Sequence, residues 1–293
     1  MINLKKLLAV ITGVAAIIAL SYFLIAGLAV TKAETQLAAL KNSWEKEKIC
    51  HESCAARRAA AEQAVIKSLA AGDQSAANRL KKYFSDARIS AEFKGELVKI
   101  ASRAYGPDKP PAYLRDYLAN PVGDSNVKAA IIISFAASSL DKDFSAAAPL
   151  NYYFNILSDS EDEVVKQAAI DVLSNYKNKA KDFSASQLAV IKNLVLDRAT
   201  NRHLRQSLVL LLSDYYPLFP EATASILKMV YEAGAGGANT GEAGTNGANQ
   251  LNDEVSRAFS ADILNRFSAD QGEAQKFPIP PVSQAAWDEY YNN

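Results

Sequence analysis

A short pattern returns five times along this chain and constrains its fold more than any other feature. Each copy can be aligned on one apolar anchor residue, and the anchors are Phe93, Val127, Val165, Leu204 and Val255. Three positions before each anchor stands a residue whose side chain can accept a hydrogen bond from an unpaired backbone N–H at a helix start. These five residues are Ser90, Asp124, Asp162, Asn201 and Asn252. The pattern therefore predicts five helix N-termini.

The residues after each anchor predict which side of each helix is buried. The fourth and eighth positions after an anchor share its helical face, and all ten of them are apolar. They are Leu97, Ile131, Ala169, Leu208 and Phe259, followed by Ala101, Phe135, Leu173, Leu212 and Ile263. The third position is small in four copies and is Glu96 in the first. Small residues there predict close contact with a neighbouring helix.

A further helix is predicted ahead of each of these five. Asp73 is placed to cap the first, and Pro111, Pro149 and Pro220 stand where proline suits the first turn of a helix. The stretch SASQLAVIKNLVLDRA fills the remaining place. The sequence thus predicts an all-α protein with five helix pairs, whose anchors are spaced by 34, 38, 39 and 51 residues.

The stretch LNYYFNILSDSEDEVVKQAAIDVL resembles a HEAT repeat, in which the second helix typically begins with Asp and carries Val-Arg or Val-Lys a few residues later. The resemblance covers roughly residues 73–268, and Phe93-Lys94 and Val255-Ser256 depart from it at the two ends. It implies an α-solenoid with a curved surface, typically used as a protein-binding scaffold. An armadillo array is an alternative, whereas the Trp-Leu-Gly signature of tetratricopeptide repeats is absent from the sequence.

The amino-terminal part predicts a membrane anchor. Residues 1–6 form a basic tail, and Leu7 to Val30 form 24 residues without a charge. About 20 apolar residues suffice to cross a bilayer, whereas the apolar core of a cleaved signal peptide usually has about 7–15. We therefore expect a single-pass signal-anchor in the cell membrane, with cleavage after the small residues near Val30 as the alternative. The basic tail favours an internal amino terminus and an extracytoplasmic location for the bulk of the chain.

Residues 31–72 are predicted to form a helical stalk, because Thr31 to Ala71 contains neither Gly nor Pro. A continuous helix of that length would span about 60 Å. The heptad pattern is a poor coiled-coil seam, so packing against the repeats or against a partner helix stays open. Cys50 and Cys54 would share one helix face. They are candidates for an interchain disulfide, and the alternative is ordinary helix packing.

Two carboxy-terminal segments interrupt the helical pattern. Gly234 to Gln250 contains six Gly, which predicts a flexible insertion and accounts for the longest anchor spacing. Residues 269–293 form a Pro-rich and aromatic tail, in which Ser283 is placed to cap a short last helix. This tail is predicted to cover the final repeat, and a docking peptide for a partner is the alternative.

The composition argues against several classes of function. The chain carries 32 basic and 32 acidic residues, so bulk charge does not favour nucleic acid. It has two His, and we predict no catalytic residues, no metal site and no cofactor. His203 is interpreted as an ordinary surface residue, residues 159–163 (DSEDE) as a capping turn, and the Tyr- and Phe-rich clusters as core.

The predicted function is a membrane-anchored scaffold or assembly subunit that binds protein partners and is not an enzyme. One alternative is a cell-wall-active enzyme resembling the superhelical part of lytic transglycosylases. Another is a purely structural subunit of a membrane complex.

Overall fold

The computed structural model describes residues 35–46, 52–141, 145–146, 148–176, 179–233, 254–270 and 277–292, and all regular structure in these ranges is α-helical. The predicted anchor Leu7 to Val30, the insertion Gly234 to Gln250 and the cap Asn252 lie outside the described residues. The chain divides into a first unit that ends at Phe135 and a second that begins at Ala136.

The first unit contains two of the five predicted helix pairs. Its helices are α1 (35–46), α2 (Glu52–Ala70), α3 (Gln74–Ser85), α4 (Ala91–Tyr105), α5 (Ala112–Ala119) and α6 (Ser125–Ser134). Helices α3 and α4 form one pair and α5 and α6 the next, while α4 also packs against both α2 and α6. A Cβ added at Gly95 would lie 3.9 Å from the Cβ of Ala130, which shows how closely α4 and α6 approach.

The predicted caps act at the helix starts of this unit because their side-chain oxygens meet unpaired backbone N–H groups. The Asp73 carboxylate accepts hydrogen bonds from the N–H groups of Ser75 and Ala76, at 2.9 and 3.2 Å. Ser90 and Asp124 accept corresponding bonds at the starts of α4 and α6. Local hydrogen bonding therefore defines where these helices begin.

The predicted continuous stalk is replaced by two antiparallel helices. The Ser68 hydroxyl of α2 donates to the Gln36 amide oxygen of α1 at 2.9 Å, and the Arg58 guanidinium of α2 lies 4.3 Å from the Trp44 ring centre of α1. A single straight helix would separate residues 36 and 68 by about 48 Å. Leu37 of α1 is buried, so the driving force for this arrangement is apolar burial that an isolated stalk could not provide.

The α1–α2 pair packs against the repeats, one of the arrangements that the sequence left open. Trp44 lies 6.0 Å from Phe93, measured between ring centres. The Arg58 guanidinium also binds the Glu96 carboxylate of α4 at 3.3 Å. Glu96, which breaks the small-residue pattern, thus serves as the ionic contact for α2.

Antiparallel packing predicts a cross-link between residues that are distant in sequence. With Cys50 and Cys54 changed to Ser, the combination Gln36→Cys and Ser68→Cys should form an intrachain disulfide under mild oxidation, which peptide mass spectrometry would detect. Lys67→Cys in place of Ser68→Cys is the matched control, because Lys67 is exposed on another side of α2. Efficient bridging in the control but not between positions 36 and 68 would contradict this packing.

The second unit contains the other three predicted pairs and several short elements. Its helices are α7 (Ala137–Leu140), α8 (Asn151–Asp159), α9 (Glu163–Ser174), α10 (Lys179–Asp182), α11 (Ala185–Leu196), α12 (Arg202–Tyr215), α13 (Pro220–Ala233), α14 (Glu254–Asp270) and α15 (Gln284–Asn292). Helices α8, α11 and α13 form a first row, and α9, α12 and α14 form a second row. Each helix contacts its pair partner in the other row and the next helix in its own row.

Burial in both units follows the register of the repeated pattern. All five anchors are buried, with side-chain exposures between 0 and 7 %. Leu97, Ile131, Ala169 and Leu208, four positions after their anchors, are each 0 % exposed. Phe259, the corresponding residue of α14, is half-buried, and its ring packs against the rings of Trp287 and Tyr290 from α15. The core therefore lies between the paired helices.

Candidate interaction surface

The face of the second row that points away from the core carries exposed apolar side chains in a shared register. Val164 of α9 precedes its anchor by one position and is 42 % exposed, while Leu210 of α12 follows its anchor by six and is 39 % exposed. Positions seven apart differ by only about 20° around a helix, so both lie on the same helical face. In the first unit, Ile133 of α6 also stands six positions after its anchor and is 55 % exposed.

The first row of the second unit presents a polar outer surface instead. Its exposed residues include Asn155, Ser158, Lys192, Asn193 and Ser225. Among the described residues of α8 to α14, the exposed large apolar side chains are Val164 and Leu210, both in the second row. The two rows therefore differ in the chemistry that they offer to a partner.

On α14, the same helical face is covered by the carboxy-terminal tail of the chain. Glu254 stands one position before its anchor, and its carboxylate accepts a hydrogen bond from the Ser283 N–H at 2.9 Å. Asn265 stands ten positions after the anchor, and its amide bonds both the carbonyl and the N–H of Phe277, at 2.7 and 3.1 Å. The tail therefore runs antiparallel to α14.

Helix α15 extends the coverage towards α12. Trp287 and Tyr290 meet Phe259 edge-on, with ring centres 6.0 and 5.5 Å apart. The Glu289 carboxylate binds the Arg202 guanidinium at 2.6 Å, and the Tyr290 ring lies 6.3 Å from that of His203. These contacts agree with the interpretation of the tail as a cover for the last repeat. Tyr291, near the end of α15, is 75 % exposed.

In two of the three middle copies, the basic residue that follows the anchor binds carbonyls of the turn within its helix pair. Arg205 is buried, and its guanidinium donates to the carbonyls of Val195, Asp197 and Thr200 at 3.2, 3.0 and 2.8 Å. The Val195 carbonyl lies in the last turn of α11 and the other two lie just after it, where backbone acceptors lack helical partners and attract a cation. The Lys128 ammonium reaches the Pro121 carbonyl at 3.4 Å in the equivalent turn. The sequence shows that a basic residue follows each middle anchor, but it does not show which backbone carbonyls that residue binds.

The remaining sequence-predicted sites stay separate from this surface. Cys50 lies outside the described residues. Cys54 lies in the first turn of α2, but the structure does not describe its side chain. The interchain disulfide therefore stays a prediction. Asp162 caps α9 through the N–H groups of Val164 and Val165, as expected for a capping turn. Within the described ranges, no group of three His, Cys, Asp or Glu side chains is placed to hold a metal ion.

The aromatic clusters in the second unit are largely core. Tyr153, Phe154 and Tyr215 are buried, and Tyr215 stacks on Phe183 with ring centres 4.0 Å apart. Burial raises the pKa of the Tyr215 phenol, so the group stays neutral. Its hydroxyl donates to the Gln187 amide oxygen at 3.3 Å. These rings are therefore occupied by packing and do not form an open stacking platform.

Comparison with known proteins identifies no relative of this chain. No family model, curated protein or solved structure matches the chain. Among the described helices, none is both long and apolar enough to cross a bilayer. The function must therefore be argued from the surface itself.

Proposed function

We propose that this chain is a membrane-anchored scaffold or assembly subunit, held by Leu7 to Val30 with its bulk outside the cytoplasm. Its HEAT-like helix pairs form an α-solenoid, and the second row binds a segment of a partner protein. The two-row packing supports this fold, because arrays of stacked helix pairs present whole rows of helices as binding surfaces. The apolar length of residues 7–30 supports the anchor.

The tail on α14 is the observation that carries the binding role. An extended segment lies on the face of α14 that corresponds to the exposed apolar face of α9 and α12, and the short helix that follows it reaches the start of α12 at Arg202 and His203. That face therefore accepts a peptide through polar bonds to its main chain, by way of Glu254 and Asn265, whereas Phe259 packs against α15 from the anchor side of α14. We propose that a segment of a partner protein packs in a similar manner on α9 and α12, where it contacts Val164 and Leu210.

Site-specific photo-crosslinking would test the use of the second row. A photoreactive residue at position 210 in the full chain, irradiated in intact membranes, should capture a protein partner. The same residue at Lys192, which is exposed on α11 of the first row, is the matched control and should capture much less. Adducts of equal yield at both positions, or at neither, would contradict the proposal.

The same surface predicts the effect of one substitution on partner recovery. Leu210→Glu should reduce the protein that copurifies in mild detergent by roughly 5- to 30-fold, as expected when an apolar contact worth about 1–2 kcal/mol is lost. Lys192→Glu should leave recovery unchanged. Equal thermal unfolding midpoints for the two variants would establish that folding is intact in both.

A further inference from the structure

A basic pocket lies in the first unit, apart from the proposed protein-binding row. It encloses about 320 Å³ between α1, α3 and the turn that leads to α4. Four cationic side chains from these three segments line it: Lys41, Arg79, Lys82 and Arg88. Tyr83 and Ile89 complete its walls. Arg79, Lys82 and Arg88 lie within ten residues of one another, and the folding back of α1 brings the distant Lys41 to them.

The acidic side chain in this pocket is already engaged. Asp86 is the one carboxylate among the described residues that line the pocket. The Arg88 guanidinium binds it in a fork, with Nε 3.0 Å from one oxygen and Nη2 2.9 Å from the other. These bonds, together with the Arg88 N–H and the charges of Arg88 and Lys41, lower the pKa of Asp86 to about 2. With four basic side chains and one carboxylate, the lining of the pocket carries an excess of positive charge, and the Lys41 ammonium also lies 3.6 Å from the Glu45 carboxylate.

The shape and chemistry of the pocket match a phosphate group. Guanidinium groups bind phosphate oxygens through paired N–H donors, and ammonium groups act as compact point charges beside them. An adjoining pocket of about 240 Å³ shares Lys41, Arg88 and Ile89 and is also lined by two aromatic rings, Trp44 and Phe93, and by two carboxylates, Glu45 and Glu92. That second space would admit a substituent attached to the phosphate.

We propose that this pocket binds a phosphate group, carried either by an anionic lipid headgroup or by a small soluble phosphate compound. The described part of α1 starts at residue 35, five residues after Val30, so the predicted span would hold Lys41 close to the membrane surface. Anionic lipids attract basic groups at this distance. The lipid source rests on the proposed anchor, whereas the phosphate chemistry does not.

Trp44 offers a direct readout of binding. The chain has two Trp, so Trp287→Phe leaves Trp44 as the one remaining indole. The full chain in neutral detergent should show a saturable change in Trp44 fluorescence when pyrophosphate is added at constant ionic strength. Arg79→Gln with Lys82→Gln should weaken that response at least tenfold. Lys192→Gln with Arg198→Gln, both exposed in the second unit, is the charge-matched control and should respond like the parent.

The outcomes separate binding from general charge screening. No saturable response in the parent, or an undiminished response in the Arg79 and Lys82 double variant, would overturn the proposal. If the double variant melts at a lower temperature than the control, Lys82→Gln alone provides the decisive comparison, because Lys82 is exposed.

Reconstitution distinguishes the two sources of phosphate. In discs of phosphatidylglycerol, headgroup binding should shift Trp44 emission relative to discs of phosphatidylcholine and blunt the pyrophosphate response. A soluble ligand predicts equal emission in both discs and equal titration in both. Alkaline extraction of membranes tests the anchor separately. Release of the chain would contradict the anchor but would not change the conclusion from the pyrophosphate titration in detergent.

Discussion

Leu173→Asp should destabilise the second unit severely. Leu173 is 0 % exposed on the core face of α9, so a carboxylate there would be buried without a partner. Uncompensated buried charge costs roughly 3–5 kcal/mol. For a region of this size, the thermal unfolding midpoint of the full chain in detergent should fall by about 6–20 °C. Far-UV circular dichroism would measure the change.

Ser174→Asp is the matched control for this prediction. Ser174 is the next residue of α9 and is exposed, because one step around the helix turns it away from the core. Its substitution should change stability by no more than about 0.5 kcal/mol. Equal midpoints for the Leu173 and Ser174 variants would refute the register from which the core was deduced.

Arg205→Met should produce the second large loss of stability. Methionine keeps much of the apolar stem but leaves the carbonyls of Val195, Asp197 and Thr200 without the guanidinium that binds them. Because this cation is buried, we expect a loss of about 2–4 kcal/mol in the free energy of unfolding. Arg205→Lys should fall between the parent and Arg205→Met, since one ammonium cannot reproduce the fork.

Urea unfolding with hydrogen exchange would test the role of Arg205. The amides of the turn between α11 and α12 should exchange faster in Arg205→Met, even where the rest of the second unit stays protected. Arg198→Met, at an exposed position in the same turn, is the control and should match the parent. Protection of this turn that is unchanged in Arg205→Met would show that the carbonyl bonds contribute little.

Much of the fold could be predicted because its signals are local. The side chain of Asp162 accepts N–H groups only two and three residues away. The apolar spacing that buries Val165 and Leu173 is likewise a property of one helix. Neither needs knowledge of the rest of the chain, so the ten paired helices were predictable.

The antiparallel α1–α2 pair was not predictable for the opposite reason. Good helix formers in residues 31–71 indicate a helix, but they do not show whether it continues or folds back. The choice depends on pairings such as Gln36 with Ser68, which are 32 residues apart and repeat nowhere in the pattern. The apolar face of α4 provides a surface on which α2 can be buried, and this contact exists only in the folded unit.

The candidate sites likewise combine local features that the sequence predicts with tertiary contacts that it does not. The sequence by itself determined the helix starts and the buried faces, because each follows from helix periodicity and capping within a few residues. Tertiary structure decided which helices meet. It joined Lys41 to Arg79, Lys82 and Arg88, and it laid the tail on α14. Such meetings depend on side-chain packing between distant segments, for which sequence spacing carries no periodic signal.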